Sequence, residues 1–298
     1  MRSVKFSLRI YIRKKRKIRN MKNMILRGTL LLTIAGVISR IMGFFYRIFL
    51  ANTIGAEGMG IYQLIFPIYS VCFSLCASGI ETAISKLTAE KIATGNPKEA
   101  SDILKLGISI TLTLSISCSL IIFYHAGFLA EVFLKEPRCT ELLKILAVTI
   151  PFGTTQSCIC GYYFGVHKAG VPSFAQLIEQ SFRIGCVFLL YHIYLNNQMT
   201  ISPAIAVIGL VFGEIISLIF TVTCFSFQPQ KKILSVPGSL ISNLKEIFSL
   251  SIPLTVSRIC INLLASMEAT LIPNALKAYG MDSASALSLY GILTGMAL

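Results

Sequence analysis

Apolar residues in this chain neither alternate with polar ones nor recur at amphipathic spacing. They run almost unbroken for twenty residues or more, again and again. Runs of that length are what a helix needs to cross a hydrocarbon core about 30 Å thick. Seven complete runs stand out, at about 28–54, 59–85, 106–128, 145–166, 171–195, 201–227 and 247–274. An eighth starts near Ser283 and meets the end of the sequence at Leu298. Helix rise gives those last residues only about 24 Å, so the sequence is expected to stop inside a span, as a fragment does. The predicted fold class is all-α, a polytopic membrane helical bundle.

The segments between the runs set an expected orientation. Lys86, Lys91, Lys98 and Lys105, then Lys168, then Lys231, Lys232 and Lys245 fall in alternate loops, on the same side as a basic N-terminus. The opposite loops hold Lys135, Arg138 and Lys277, with Lys144 at a span edge, and NNQMT (196–200) holds no charge. Basic loops stay inside, so the N-terminus is expected in the cytoplasm. SKLTAEKIATGNPKEASDILK (85–105) mixes charges and breaks at Gly95-Asn96-Pro97, which predicts two short surface helices. Pro67, Pro151 and Pro253 lie inside spans and should bend them.

Composition agrees with the pattern. Hydrophobic residues make up 54% of the chain and charged ones 13%, with mean hydropathy +0.74, against about 25% charged in soluble domains. The net charge of +14 falls to +5 once Arg2, Lys5, Arg9, Arg13, Lys14, Lys15, Arg16, Lys17 and Arg19 are set aside. That head (IYIRKKRKIRN, 10–20) has three readings: contact with anionic lipid headgroups, RNA binding, or a start codon placed upstream of a true start at Met21. No nucleic-acid partner is expected. No signal-peptide pattern precedes the first span.

Reactive side chains argue against an enzyme. Cys72, Cys76, Cys118, Cys158, Cys160, Cys186, Cys224 and Cys260 lie within apolar runs, and Cys139 in an expected loop. Cys158-Ile159-Cys160 has no partner pair, and His125, His167 and His192 are scattered. Metal-ligand spacing is absent; the cysteines read as small apolar packers. A membrane transferase would cluster His, Asp or Cys at a membrane face, and none does. No metal, cofactor or catalytic residue is expected.

What remains are charges inside the spans: Arg40, Arg47, Glu81, Glu179, Arg183, Glu214, Arg258 and Glu268. A charge at the bilayer centre costs about 3 kcal/mol on insertion scales, so these should face the bundle interior or water. Arg40 is near the middle of the first span. Arg47 lies about 10 Å further along the axis and about 20° around it, and Gly36 and Gly43 thin the same stripe. The alternatives are an ion pair for Arg40 and snorkelling to the outer headgroups for Arg47. Glu179 and Arg183, four apart with Glu first, suit an intrahelical pair. Glu81 is near the inner end of its span and half-solvated. Glu214 has no evident partner and is a candidate for proton or ion coupling. Glu268 is a further candidate for coupling or pairing, but not with Arg258. Ser39-Arg40-Ile41 recurs as Ser257-Arg258-Ile259, with Gly58-Met59 and Tyr62 loosely echoed by Gly280-Met281 and Tyr290. Such echoes suit an internal repeat of the kind transporters use.

LTIAGVISRIMGFFYRIFLANTIGAEGMGIYQLIFPIYS (32–70) and SGIETAISKLTAEK (78–91) resemble the start of the stage V sporulation protein B group. That group belongs to the polysaccharide transporters of the multidrug/oligosaccharidyl-lipid/polysaccharide (MOP) flippase superfamily. The likeness covers about residues 21–298. It implies a MATE-like architecture of two six-span lobes, of which this sequence holds one lobe and the start of the next. The division would be 1–20 basic cytoplasmic extension, 21–227 N-terminal lobe, 228–246 cytoplasmic linker and 247–298 start of the second lobe. The resemblance also implies alternating-access movement of a lipid-linked saccharide of the polyprenyl diphosphate type, for cell-wall or spore cortex synthesis. Arginines of the first and seventh spans would face the diphosphate, a role that carries onto Arg40, Arg47 and Arg258. The interval from Gly43 to Arg47 is one residue longer than in the related lipid II flippases. Two rival functions are a cation-coupled drug exporter and a non-transporting scaffold of a wall-synthesis complex. Two arginines and no acid in the first span favour an anionic substrate.

Overall fold

The computed structural model describes residues 2–198, 201–227 and 239–296, and the side chains of 26–198, 201–227 and 241–294. The side chains of the basic head, those of Lys231 and Lys232, and residues 228–238 of the expected linker lie outside the described residues. Nine α-helices and no strand occur among the described residues: α1 (Arg2–Leu64), α2 (Phe66–Phe73), α3 (Gly79–Ala93), α4 (Pro97–Phe128), α5 (Cys139–Gly165), α6 (Gly170–Asn196), α7 (Ala204–Ser226), α8 (Ser239–Ala278) and α9 (Ser283–Met296). Five stretches are long and apolar enough to cross a membrane: Leu26–Ala93, Pro97–Phe133, Cys139–Gly165, Ala204–Ser226 and Ile241–Ala278. The first is 68 residues long and folds back at Gly55, whose φ of 74° and ψ of 171° end one helix and start another. It therefore makes two passes. Helix α6, at 27 residues, is long enough to cross but carries Glu179 and Arg183.

The second pass is not one smooth helix. The chain breaks at Ile65 before Pro67, and a π-turn at Ser74–Ser78 joins α2 to α3. The break at Gly95 and Asn96 falls where the sequence places it, with Pro97 starting α4. The two expected surface helices do not form as separate pieces. Helix α3 continues unbroken to Ala93 and α4 runs on from Pro97 to Phe128, because residues 79–93 and 98–128 contain no proline to interrupt the ladder. Cys139, expected in a loop, is instead the buried first residue of α5.

Pro151 sits inside α5 and cannot donate to the carbonyl of Ala147. That carbonyl is satisfied from outside the helix: Ser119 on α4 donates its hydroxyl to Ala147 O at 2.6 Å. In hydrocarbon an unmet carbonyl is costly, so one serine lets the bent helix stay in the membrane. Ser119→Ala should lower stability by about 1 kcal/mol, measurable as earlier thermal unfolding of the detergent-purified chain.

Helices approach closely where glycines repeat. Gly161 and Gly165 on α5 face α3, where a β-carbon at Gly161 would lie 2.7 Å from the Glu81 carbonyl and one at Gly165 2.6 Å from the Ser85 carbonyl. Gly209 and Gly213 on α7 face α6, with Arg183 O at 3.1 Å and Glu179 O at 2.9 Å from the corresponding positions. Both pairs are GxxxG motifs, which let backbones meet inside a membrane. Around these seams Leu50, Leu64, Leu143 and Ile150 fill one core cluster, and Ile84, Ile103, Leu104 and Tyr163 fill a second. Ile41, Phe44 and Phe45 on α1 and Ile121 and Tyr124 on α4 are exposed, as a lipid-facing surface would be.

The loops gather at two ends. Gly28 lies against Ala169 of the α5–α6 turn, Gly165 against Ser85 and Thr88, and Lys91 pairs with Glu99 at 3.3 Å and Glu246 at 3.4 Å. Glu57, Glu136, Arg138 and Lys277 meet in a second cluster.

Candidate functional site

Arg40 lines an open groove of about 490 Å³, bounded by Gly28, Leu32, Thr33 and Gly36 of α1 and by Phe164, His167 and Ala169 around the α5–α6 turn. One helical turn separates Gly36 from Arg40, and a β-carbon at Gly36 would meet nothing within 4 Å. The side chain of Arg40 is exposed and Ser39 beside it is buried. No hydrogen bond or ion pair engages Arg40 among the described residues, so its five N–H donors are available. Arg47 is half-buried further along the helix.

Arg258 of α8 lines a different groove, of about 310 Å³, against the π-turn and its flanking helices. Glu81 and Asn262 line it too. Glu81 accepts a hydrogen bond from the Ser157 hydroxyl of α5. Asn262 donates to the Ser70 carbonyl at 3.2 Å and to the Ser74 hydroxyl. The two Asn262 bonds tie α8 to the irregular part of the second pass, where π-turns commonly mark functional positions.

Between α5, α6 and α7 lies a buried polar layer. Arg183 donates to Glu179 as the spacing predicts. Glu214 is 7% exposed and accepts from the Tyr69 hydroxyl at 3.4 Å. Its second oxygen, Oε2, is buried with no hydrogen-bond partner among the described residues. Gly153 makes the space: a β-carbon there would stand 3.1 Å from Glu214 Oε2. Gln156 donates to Ser217 at 2.6 Å, which donates to the Ala175 carbonyl at 3.0 Å. A buried carboxylate with one unmet oxygen suits a group that takes up a proton or a small cation. Glu268 is exposed on α8 and stands apart from this layer.

Outside the spans, Arg138 donates to Glu57 at 2.7 Å and to Glu136 at 2.6 and 3.2 Å, while Lys277 reaches Glu136 at 3.9 Å. Burial pushes the Glu136 carboxyl up, but the hydrogen bond and charge of Arg138 and the charge of Lys277 outweigh it and hold it below 4.5. A lowered folded-state value means that this contribution is complete at neutral pH and lost as pH falls below 4.5. Glu136→Gln should cost about 1–2 kcal/mol at pH 7, discounted for the exposure of Arg138. In thermal unfolding the gap between the two proteins should narrow as pH falls below 4.5.

The structure thus brings Glu179, Arg183 and Glu214 into one layer, sets Arg40 and Arg258 in two grooves, and leaves Glu268 outside. Sequence reading missed three things: the Tyr69–Glu214 bond, the shared groove of Glu81 and Arg258, and both GxxxG seams. Only the seams carried a readable signal.

A family model described as polysaccharide biosynthesis protein matches residues 25–293. Stage V sporulation protein B of Bacillus subtilis (strain 168) is 32% identical over 281 residues, covering 93% of this chain and 54% of that protein. The lipid II flippase MurJ of the same organism is 24% identical over 205 residues, covering 65% of this chain and 38% of that one. A solved MOP superfamily transporter from Pyrococcus furiosus superposes with a TM-score of 0.65 at 14% identity, covering 92% of this chain and 62% of the other. That likeness is one of fold. The chain spans about half the length of stage V sporulation protein B. With the family pattern running from residue 25 to 293 through a bundle of membrane-length helices, this multi-pass membrane chain belongs to the polysaccharide biosynthesis protein family.

Proposed function

We propose that the chain is part of a flippase that moves a lipid-linked saccharide of the polyprenyl diphosphate type across the cell membrane by alternating access. Arg40 carries this reading: a guanidinium deep in an apolar span, without an ion pair among the described residues, lining an open groove of about 490 Å³. A permanent charge in that position is offset only by an anion or by water. A diphosphate fits the planar fork bidentately. Arg47 and Arg258 would hold the same headgroup at other stages of its passage. Glu214, with Glu179 and Arg183 beside it, would supply ion or proton coupling or brace the lobe, and Glu268 is a separate candidate. Residues 21–227 would form one lobe, 228–246 a cytoplasmic linker and 247–298 the start of a second. The N-terminus would lie in the cytoplasm.

The test is selective binding to the purified chain, read by native mass spectrometry. A polyprenyl-diphosphate saccharide should be retained over the matching monophosphate and over a lipophilic cationic drug. Retention of the drug alone would favour the exporter reading instead. Orientation is tested separately with single cysteines in a cysteine-free background. One at Asn197 should react with an impermeant reagent added outside, and one at Gln230 should not. The reverse labelling would invert the topology.

A further inference from the structure

We infer that Cys72, Cys76 and Cys118 form an oxidation site, reached from the lipid by organic hydroperoxides, at which a disulfide closes between Cys118 and Cys72. Their meeting follows from helix geometry. Ser70 and Ser74 turn toward α8, where Asn262 donates to both. Two residues further along a helix is about 200° around it, so Cys72 and Cys76 face away from α8. Cys118 of α4 meets them on that side, within hydrogen-bonding reach of both sulfurs. Cys72 and Cys118 also pack on the same core cluster. All three are free thiols, and among the described residues no group of three His, Cys, Asp or Glu side chains is placed to hold a metal ion. Small apolar packing explains one buried sulfur. It does not explain three gathered between two passes.

The cluster opens on the apolar surface. Cys76 is wholly buried, whereas Cys72 and Cys118 are half-buried. Leu75 near Cys72, and Leu114 and Ile121 on either side of Cys118, are exposed. An apolar oxidant dissolved in the bilayer therefore meets Cys118 and Cys72 directly, while a water-borne one must first enter hydrocarbon. Cys118 has an S–H donor on each side, so the thiolate that attacks an oxidant is not left bare there. Its sulfur attacks the hydroperoxide: the O–O bond breaks, the terminal oxygen passes to sulfur with its hydrogen, and the alkoxide leaves as an alcohol with the thiol proton. Cys118 is then a sulfenic acid. Cys72 Sγ displaces the hydroxyl, the S–S bond forms, and water leaves with the Cys72 proton. Two thiols have given two electrons to one hydroperoxide. The new bond ties α2 to α4, clamping the irregular second pass on the side opposite the Asn262 bonds. Cys76, one turn from Cys72, stays reduced and stands ready to take its place.

The test uses the purified chain in nanodiscs of saturated lipid, reduced and then treated with cumene hydroperoxide or with hydrogen peroxide at equal concentration. Thiols are counted by maleimide mass tagging after denaturation. Cumene hydroperoxide should remove two of the nine thiols, and peptide mapping should join Cys72 to Cys118. Access from lipid should make it at least about tenfold faster than hydrogen peroxide. Thermal unfolding should move to higher temperature and return on treatment with dithiothreitol. Cys118→Ser should abolish the loss of thiols, whereas Cys186→Ser, at a half-buried cysteine of α6, should leave it unchanged. In Cys72→Ala the bond should pass to Cys76 and form more slowly, because that sulfur is wholly buried. Mapping on the unsubstituted chain decides the matter even where a variant fails to fold. No loss of thiols, bonds between other cysteines, single cysteines carried to sulfinic acid without a bond, or equal rates with the two peroxides overturns the inference.

Discussion

Arg40→Ala should weaken binding of a polyprenyl-diphosphate saccharide about thirtyfold, while the protein inserts and purifies as before. The magnitude follows from losing a charge-assisted, bidentate contact of about 2 kcal/mol. Arg40→Lys keeps the charge and loses the fork, so a smaller loss, about three- to tenfold, is expected. The geometry explains why folding should survive: Arg40 is exposed in its groove and has no bonded partner among the described residues, so its removal leaves no buried acid uncompensated. A structural arginine would behave in the opposite way. Its alanine variant would be degraded, and neutralising an acid such as Glu81, Glu214 or Glu268 would rescue it. Affinity measured on the purified variant, beside its yield and elution profile, separates the two.

Gly161→Leu should abolish folding, whereas Gly127→Leu should leave it intact. Both glycines lie within helices, α5 and α4. At Gly161 even a β-carbon would stand 2.7 Å from a backbone carbonyl of α3 and 3.0 Å from the Glu81 side chain. Backbone cannot move aside without parting the two helices, and the Ser157–Glu81 bond crosses the same seam. At Gly127 nothing lies within 4 Å, and leucine is the better helix former by about 1 kcal/mol. Monodispersity on size exclusion and thermal unfolding in detergent check the pair. A well-folded Gly161→Leu protein would mean that α3 and α5 are not packed as described.

Most of the bundle could be read from the sequence because hydrocarbon imposes length and polarity directly on each span. Gly55, Gly95 and Pro97 marked real breaks for the same local reason: their backbone preferences do not depend on tertiary context. Glu179 and Arg183 were legible as a pair because helix geometry alone joins residues four apart. Partners on different helices were not. Tyr69 meets Glu214 across 145 residues, and Ser157 meets Glu81 across 76. Spacing carries no trace of either, since they depend on which faces the helices turn to one another. The Gly161/Gly165 and Gly209/Gly213 seams were present in the sequence as repeats of small residues. The π-turn at Ser74–Ser78 left no mark, because π-turns reflect a tertiary compromise rather than a residue preference.

On the function proposed above, an anionic saccharide lipid meets Arg40 and Arg258 in the two grooves that they line. A photoreactive polyprenyl-diphosphate saccharide, cross-linked to the chain in native membranes and mapped by peptide mass spectrometry, tests it most directly. Labelled peptides are expected around Arg40 in α1 and around Arg258 in α8, competed by unlabelled diphosphate lipid and lost from α1 in Arg40→Ala. Labelling confined to the outward face of α4, at Leu120–Tyr124, and unaffected by competitor or by that substitution, would contradict it.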